Sequence, residues 1–255
     1  MSQATITHEQ IITALRQVLE PRADVLAMWE GGAAAFDRVD EWSDIDLQVD
    51  VQDDHVAEIF PLIEATLAAL SPIELRYEIP QPAWHGHAQV FYRLRDTSKF
   101  LLLDFVVIQH SNANKFLEPE IHGQALVHFD KANVTASPTW DQSAHANKLR
   151  ARLNTLRVTF DLFQIMTLKE LARHNDIEAL MFYHSFTLRP LVEVLRMQHA
   201  PARYNFHTRY LYYDLPKAIV RELDALFFVA SADELRVKRE RAAAWFYATL
   251  NQIQV

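Results

Sequence analysis

The hydrophobic period changes part-way along the chain, and that change limits the fold more than any other feature. Ile45, Leu47, Val49 and Val51 alternate with Asp44, Asp46, Gln48 and Asp50, the period of a strand with one face in a core. Asp24–Trp29, Ile73–Ile79, Ala88–Leu94, Phe100–Gln109 and Ala125–Phe129 also read as strands, with a turn at Arg95–Ser98 joining two of them as a hairpin. Two helices interrupt them. One is a stripe through Ile11, Ile12, Leu15, Val18 and Leu19 ended by Pro21; the other runs from Asp53 to Leu70, with Asp53 or Asp54 as N-cap and a kink at Pro61. The Ala/Ser/Thr/Pro/Asn-rich stretch 131–143 reads as a linker. Beyond it Ile177, Leu180, Met181, Leu188, Leu191, Val192 and Leu195 form one helical stripe, interrupted by His184 and kinked near Pro190. The pattern predicts an α+β unit over residues 1–135 and an all-helical unit over 136–255.

Composition narrows the function. Half of the 255 residues are hydrophobic, enough for a sizeable core. Cysteine is absent, which excludes disulfides and thiolate zinc sites. The longest apolar runs, such as Phe100–Ile108, are far short of a membrane span, and no leader pattern opens the sequence, so the expected setting is cytoplasmic. A net charge of −8 argues against gripping long nucleic acid but leaves room for a local basic patch that holds a small phosphorylated ligand.

The carboxylates carry the chemistry. Asp44 and Asp46, at i and i+2 on a strand, share a face about 7 Å apart. They read either as a divalent-metal pair or, with Asp50, as the solvated face of an edge strand. Asp104 has four apolar residues on each side in "KFLLLDFVVIQ", the pattern of a strand covered on both faces, where an ionised carboxylate needs a cation. Arg76 or Arg93 from a neighbouring strand would serve, and so would magnesium shared with Asp44 and Asp46. Two of the chain's four glycines, Gly31 and Gly32, sit together just ahead of the aspartate pair. Such a turn lets backbone approach a ligand closely, a phosphate being the obvious one, and tips the balance toward magnesium.

Gly31-Gly32, eleven intervening residues, "SDIDLQV" and a later-strand aspartate in "LLLDFVV" together resemble the signature of the nucleotidyltransferase superfamily that includes DNA polymerase β. The match covers about the first 110 residues. Gly32 stands where many members have Ser, and Glu30 where a hydrophobic residue is usual. The layout as a whole is similar to small bacterial lincosamide and aminoglycoside nucleotidyltransferases, with a helical domain after a polymerase β-like catalytic one. The resemblance implies transfer of a nucleotide, AMP foremost, from ATP or another NTP to a hydroxyl of a small molecule such as an antibiotic, with release of pyrophosphate.

It further implies two magnesium ions on Asp44 and Asp46, with Asp104 completing one site. The Gly31 and Gly32 N–H groups, with Ser43, would face the phosphates. Asp104 or Glu178 would be the base that takes the acceptor proton, although Asn175 and Glu178 also read as a capping box. Lys148, in the basic stretch "NKLRAR" with Arg150 and Arg152, would reach the triphosphate or pyrophosphate, or else lie on a solvated helix face. His85 and His87 in "WHGH" read as structural or surface residues. A different class is a regulatory or toxin–antitoxin module acting through protein partners, for which Arg203 and His207 come near an Arg–His ribonuclease spacing; a third is a fold relic that binds nucleotide without transferring it. Monomer and homodimer remain equally open.

Overall fold

The computed structural model describes residues 5–253 and divides into two compact units, Met1–Trp140 and Asp141–Val255. The first unit reaches past residue 135, and Asp130 ties the chain back as far as Thr135. Its carboxylate accepts the backbone N–H groups of Ala132, Val134 and Thr135 and the Thr135 hydroxyl.

The first unit is α+β. Its elements are α1 (His8–Leu19), β1 (Val25–Glu30), β2 (Ile45–Val51), α2 (Val56–Leu70), β3 (Ile73–Glu78), β4 (Ala88–Leu94), β5 (Leu103–Gln109), the single turn α3 (Pro119–His122) and β6 (Leu126–Asp130). The strands form one six-stranded sheet in the order β3-β4-β5-β2-β1-β6. It is mixed: β2 and β5 run parallel and the other neighbours antiparallel. Thr7 caps α1 in a capping box, its hydroxyl accepting from the Gln10 N–H while the Gln10 side chain accepts from the Thr7 N–H. The second helix differs from expectation. It starts at Val56 after a 3-10 turn, without a side-chain cap, and continues through Pro61; Asp53 accepts instead from the Ser111 N–H at 3.0 Å.

The core lies on one face of the sheet, where Ile11, Leu15 and Leu19 of α1 and Ile59, Ile63 and Leu67 of α2 pack on Leu47, Val49, Phe105 and Val107. The opposite face is covered by a smaller cluster of Ala27, Trp29, Val106, Ile108 and Leu117. With partners on both sides, β5 explains its near-continuous apolar run. β2 is central, so the edge-strand reading of Asp50 is wrong. Asp50 is fully buried, accepts from His110 Nδ1 at 2.7 Å and pairs with Lys115.

The second unit is all helical: α4 (Gln142–Ala172), α5 (Asp176–Tyr183), α6 (Arg189–His199), the single turn α7 (Leu211–Asp214), α8 (Lys217–Phe227) and α9 (Ala232–Leu250). Its core joins Leu153, Phe160, Tyr183, Leu195, Leu226 and Phe246, with Phe160 and Phe246 stacked at 3.7 Å between centroids. Between α5 and α6 the chain makes a π-helical turn, His184–Leu188. Pro190 has no N–H for the Phe186 carbonyl four residues back; Gln164 supplies the missing donor, its Nε2 reaching that carbonyl at 2.8 Å. Among the described residues no helix is long and apolar enough to cross a membrane.

Candidate active site

The register of the sheet brings the aspartates together. Asp46 and Asp104 are direct partners on the parallel strands β2 and β5, so their side chains leave the same face of adjacent strands, about 4.8 Å apart at the backbone. Asp44 lies two residues back on that face, exposed, and its Oδ1 accepts from the Leu102 N–H at 3.3 Å. Asp46 and Asp104 are half-buried. This face is opposite to the one that α1 and α2 cover.

Two features hold the trio in place. The first is the glycine turn. Gly32 has φ +52°, and a Cβ there would stand 1.6 Å from Asp46 Oδ2, so only glycine lets the carboxylate lie against the turn. Gly31, by contrast, does not offer its N–H to a ligand, because that group donates to the Asp46 carbonyl at 2.9 Å. The 3-10 turn that follows is braced from β6's side: Gln124 N–H donates to the Ala35 carbonyl at 2.8 Å, and a Cβ on Gly123 (φ +80°) would come within 2.5 Å of that same oxygen.

The second is a hydrogen-bond chain behind Asp104. Gln89 on β4 donates through Nε2 to Asp104 Oδ1 at 2.7 Å. Its Oε1 is 3.1 Å from His85 Nε2, and His85 Nδ1 accepts the His87 N–H at 3.1 Å. With Nδ1 accepting, the ring proton sits on Nε2, and every link has one donor and one acceptor. His85 is therefore tied to the site through one glutamine, a role that the sequence does not mark; His87 is structural, buried, its imidazole pushed down to about 4 by burial and then by His85. Neither arginine named above serves Asp104: Arg76 pairs with Glu64 and Glu78, and Arg93 with Glu74.

Glu30, directly before the glycines, faces the helical core instead. It is 2 % exposed and accepts from His8 Nε2 at 2.5 Å and His128 Nε2 at 2.8 Å. Burial opposes its charge, but the bonds from His128 and His8 outweigh it and lower the carboxyl to about 2.

The remaining candidates lie on other elements. Ser43 is engaged within its own turn, its hydroxyl donating to Asp40 Oδ1 at 2.7 Å and accepting the Asp40 N–H. Lys148 is exposed on α4 and Glu178 exposed on α5, both in the second unit. The capping box is not formed: the Asn175 side chain donates to Glu170 at 2.7 Å and makes no cap bond. Glu178 still lies in the first turn of α5, where the helix dipole favours a carboxylate. Arg152 pairs with Glu193, and Arg203 with Asp214.

Hard oxygen donors suit magnesium, and the residues of the first unit fit such an ion. Three carboxylates share one face, the absence of a Cβ on Gly32 lets the Asp46 carboxylate lie against the turn, and Gln48 Oε1, on the same face, is buried without a hydrogen-bond partner. Their ligand atoms are spread over two strands. Among the described residues the group drawn within 4.8 Å is a different one, Asp24, His55 and Glu58; there Arg22 already bonds both carboxylates, at 2.7 and 2.9 Å.

No family model and no curated protein sequence matches the chain. Among solved structures, an aminoglycoside 6-adenyltransferase from Bacillus subtilis aligns over 96% of this chain and 89% of its own, with 12% identity and a TM-score of 0.38. A likeness of that size carries no weight beside the side chains themselves.

Proposed function

We propose that the first unit is the catalytic unit of a magnesium-dependent nucleotidyltransferase that moves a nucleotide, AMP foremost, from a nucleoside triphosphate to a hydroxyl of a small molecule. The observation that carries this reading is the pairing of Asp46 with Asp104 across β2 and β5, with Asp44 on the same face and Gly32 closing against Asp46. Half-burying two carboxylates side by side is costly. A site that binds a metal–triphosphate complex is a function that needs them there.

In this reading Asp44, Asp46 and Asp104 hold magnesium, which when bound supplies positive charge to the triphosphate and acidity to the acceptor hydroxyl. The protein's own part is positioning. Gly32 presents backbone to the phosphates, while Gln89 orients Asp104 through its amide N–H. An Asp104 oxygen takes the proton of the acceptor hydroxyl; the hydroxyl oxygen bonds to the α-phosphorus and pyrophosphate leaves with the electron pair of the broken bond. Hydroxylated antibiotics are the first acceptors to screen.

Calorimetric titration with a non-hydrolysable ATP analogue, with and without magnesium, tests this without an acceptor. Binding should require magnesium and fall by on the order of a hundredfold in Asp46→Asn and in Gly32→Ala, whose new Cβ collides with Asp46. Magnesium-independent binding, or full affinity in Asp46→Asn, would sink the assignment.

A further inference from the structure

The loop 200–210 of the helical unit is held from beneath by a buried guanidinium. Arg196, fully buried, donates to the carbonyls of His207 at 2.7 Å, Arg203 at 3.2 Å and Arg209, and pairs with Asp214 at 2.7 Å. A buried ion pair is expensive in desolvation. What it fixes here is the stretch that carries His207, in the left-handed region at φ +53°, and Thr208.

Facing that loop is the π-helical turn, a local distortion that re-aims side chains and often accompanies function. It presents His184, half-buried, its ring against Tyr183 and Phe227 and making no hydrogen bond among the described residues. Loop and turn enclose a cleft of about 300 Å³ lined by His184, Arg189, Val192, His207, Thr208 and Phe227. Past Thr208 and Phe227 it meets a second hollow of about 190 Å³ with Leu211, Val220 and Phe228 in its wall.

Charge is unevenly distributed around the cleft. Glu193 answers Arg152 at 2.6 and 2.8 Å, and Asp214 answers Arg196. Among the described residues no carboxylate pairs with Arg189; its Nη2 is 2.9 Å from His207 Nε2, which accepts as a neutral imidazole. Burial first, then Arg189, pushes His207 below its usual range, and burial does the same to His184. A chain of net charge −8 thus keeps an uncompensated guanidinium at the mouth of an apolar cleft.

We propose that this cleft is a binding site for a small amphiphilic anion. Its oxyanion, a carboxylate or a phosphate ester, lies on Arg189 within reach of the Thr208 hydroxyl and the His184 ring; its apolar body runs along Phe227 toward Leu211, Val220 and Phe228. The bond between a guanidinium and an oxyanion is among the strong ones, and the clamped loop pays little ordering entropy on binding.

Titrating the full chain in magnesium-free buffer with phenyl phosphate and with 4-phenylbutyrate, beside inorganic phosphate and acetate as bare head groups, tests this. At least one of the first two should bind saturably, at one site, at least tenfold more tightly than its head group alone. Arg189→Gln should weaken it tenfold or more and Asp46→Asn should leave it unchanged. Which of the two binds separates a phosphate ligand from a carboxylate one. Absence of saturable binding by both overturns the proposal, as does unaltered affinity in Arg189→Gln, an exposed position whose substitution spares the core. Equal loss in Asp46→Asn would move the binding to the aspartate face and overturn it too.

Discussion

The two units gather charge by different means. In the sheet unit the charges are carboxylates, and regular strand geometry assembles them: period two puts Asp44 and Asp46 on one face, and parallel register sets Asp104 beside Asp46. In the helical unit the charge is a guanidinium, and it is assembled by departures from regularity, a π-helical turn before Arg189 and a left-handed His207 in a clamped loop. A sheet can array ligands from hydrogen bonds it makes anyway. This helical unit distorts its backbone at the turn before Arg189 and at His207, and Arg196 holds the loop that carries the second distortion.

The largest test of that contrast falls on Arg196. Arg196→Ala leaves three backbone carbonyls and part of Asp214 without their buried donor, which should cost about 3 kcal/mol or more in urea unfolding and abolish the anion binding of the cleft. Arg196→Lys should not rescue it, because a single ammonium cannot span acceptors that a planar guanidinium reaches together. A loss under about 1 kcal/mol would mean that the loop holds itself, and the contrast would break.

Next comes acid stability in the sheet unit. Glu30 titrates at about 2 in the folded chain against an ordinary 4.5. A depressed carboxyl contributes stability that is complete above its unfolded pKa and is lost as pH falls from about 4.5 toward 2. The loss attributable to Glu30 should be roughly 2–3 kcal/mol, read as the part of the acid limb of a stability–pH curve that disappears in Glu30→Gln. An unchanged acid limb in that variant would show that the two histidines do not hold the charge.

The same contrast explains what could be read in the sequence. Alternation at residues 44–51 and the apolar run around Asp104 are enough to place Asp46 and Asp104 on strands, with Asp44 just ahead of β2, and the change of period separates sheet from helices. Register is another matter. That Asp104 stands beside Asp46 depends on which strands neighbour β2, and the edge-strand alternative for Asp50 failed for the same reason: pairing is decided by the whole sheet. Gly32 was legible as a turn, yet the donation from Gly31 to Asp46 was not. Glu30 looked like an oddity because its partners His8 and His128 are distant in sequence. The π-helical turn left its traces in Pro190 and His184, but Gln164, which relieves the orphaned Phe186 carbonyl, lies a helix away. Gln89 carries no signal at all in the sequence; an amide on a strand is ordinary until its neighbour is known.

Gln89 gives the smallest effect and the sharpest one. Gln89→Leu keeps volume but leaves Asp104 Oδ1 without its amide donor and His85 Nε2 without its acceptor. The residue sits half-buried on β4, so the fold should lose about 1 kcal/mol, while affinity for manganese(II), followed by electron paramagnetic resonance as a stand-in for magnesium, should fall about tenfold. His85→Phe, one link further from Asp104, should act in the same direction and less strongly, with the urea midpoint of the sheet unit hardly moved. The gradient matters more than either value. If the glutamine only satisfied a polar atom, both variants would cost stability and neither would change metal affinity; if it orients the aspartate, affinity declines link by link toward Asp104 while stability does not follow.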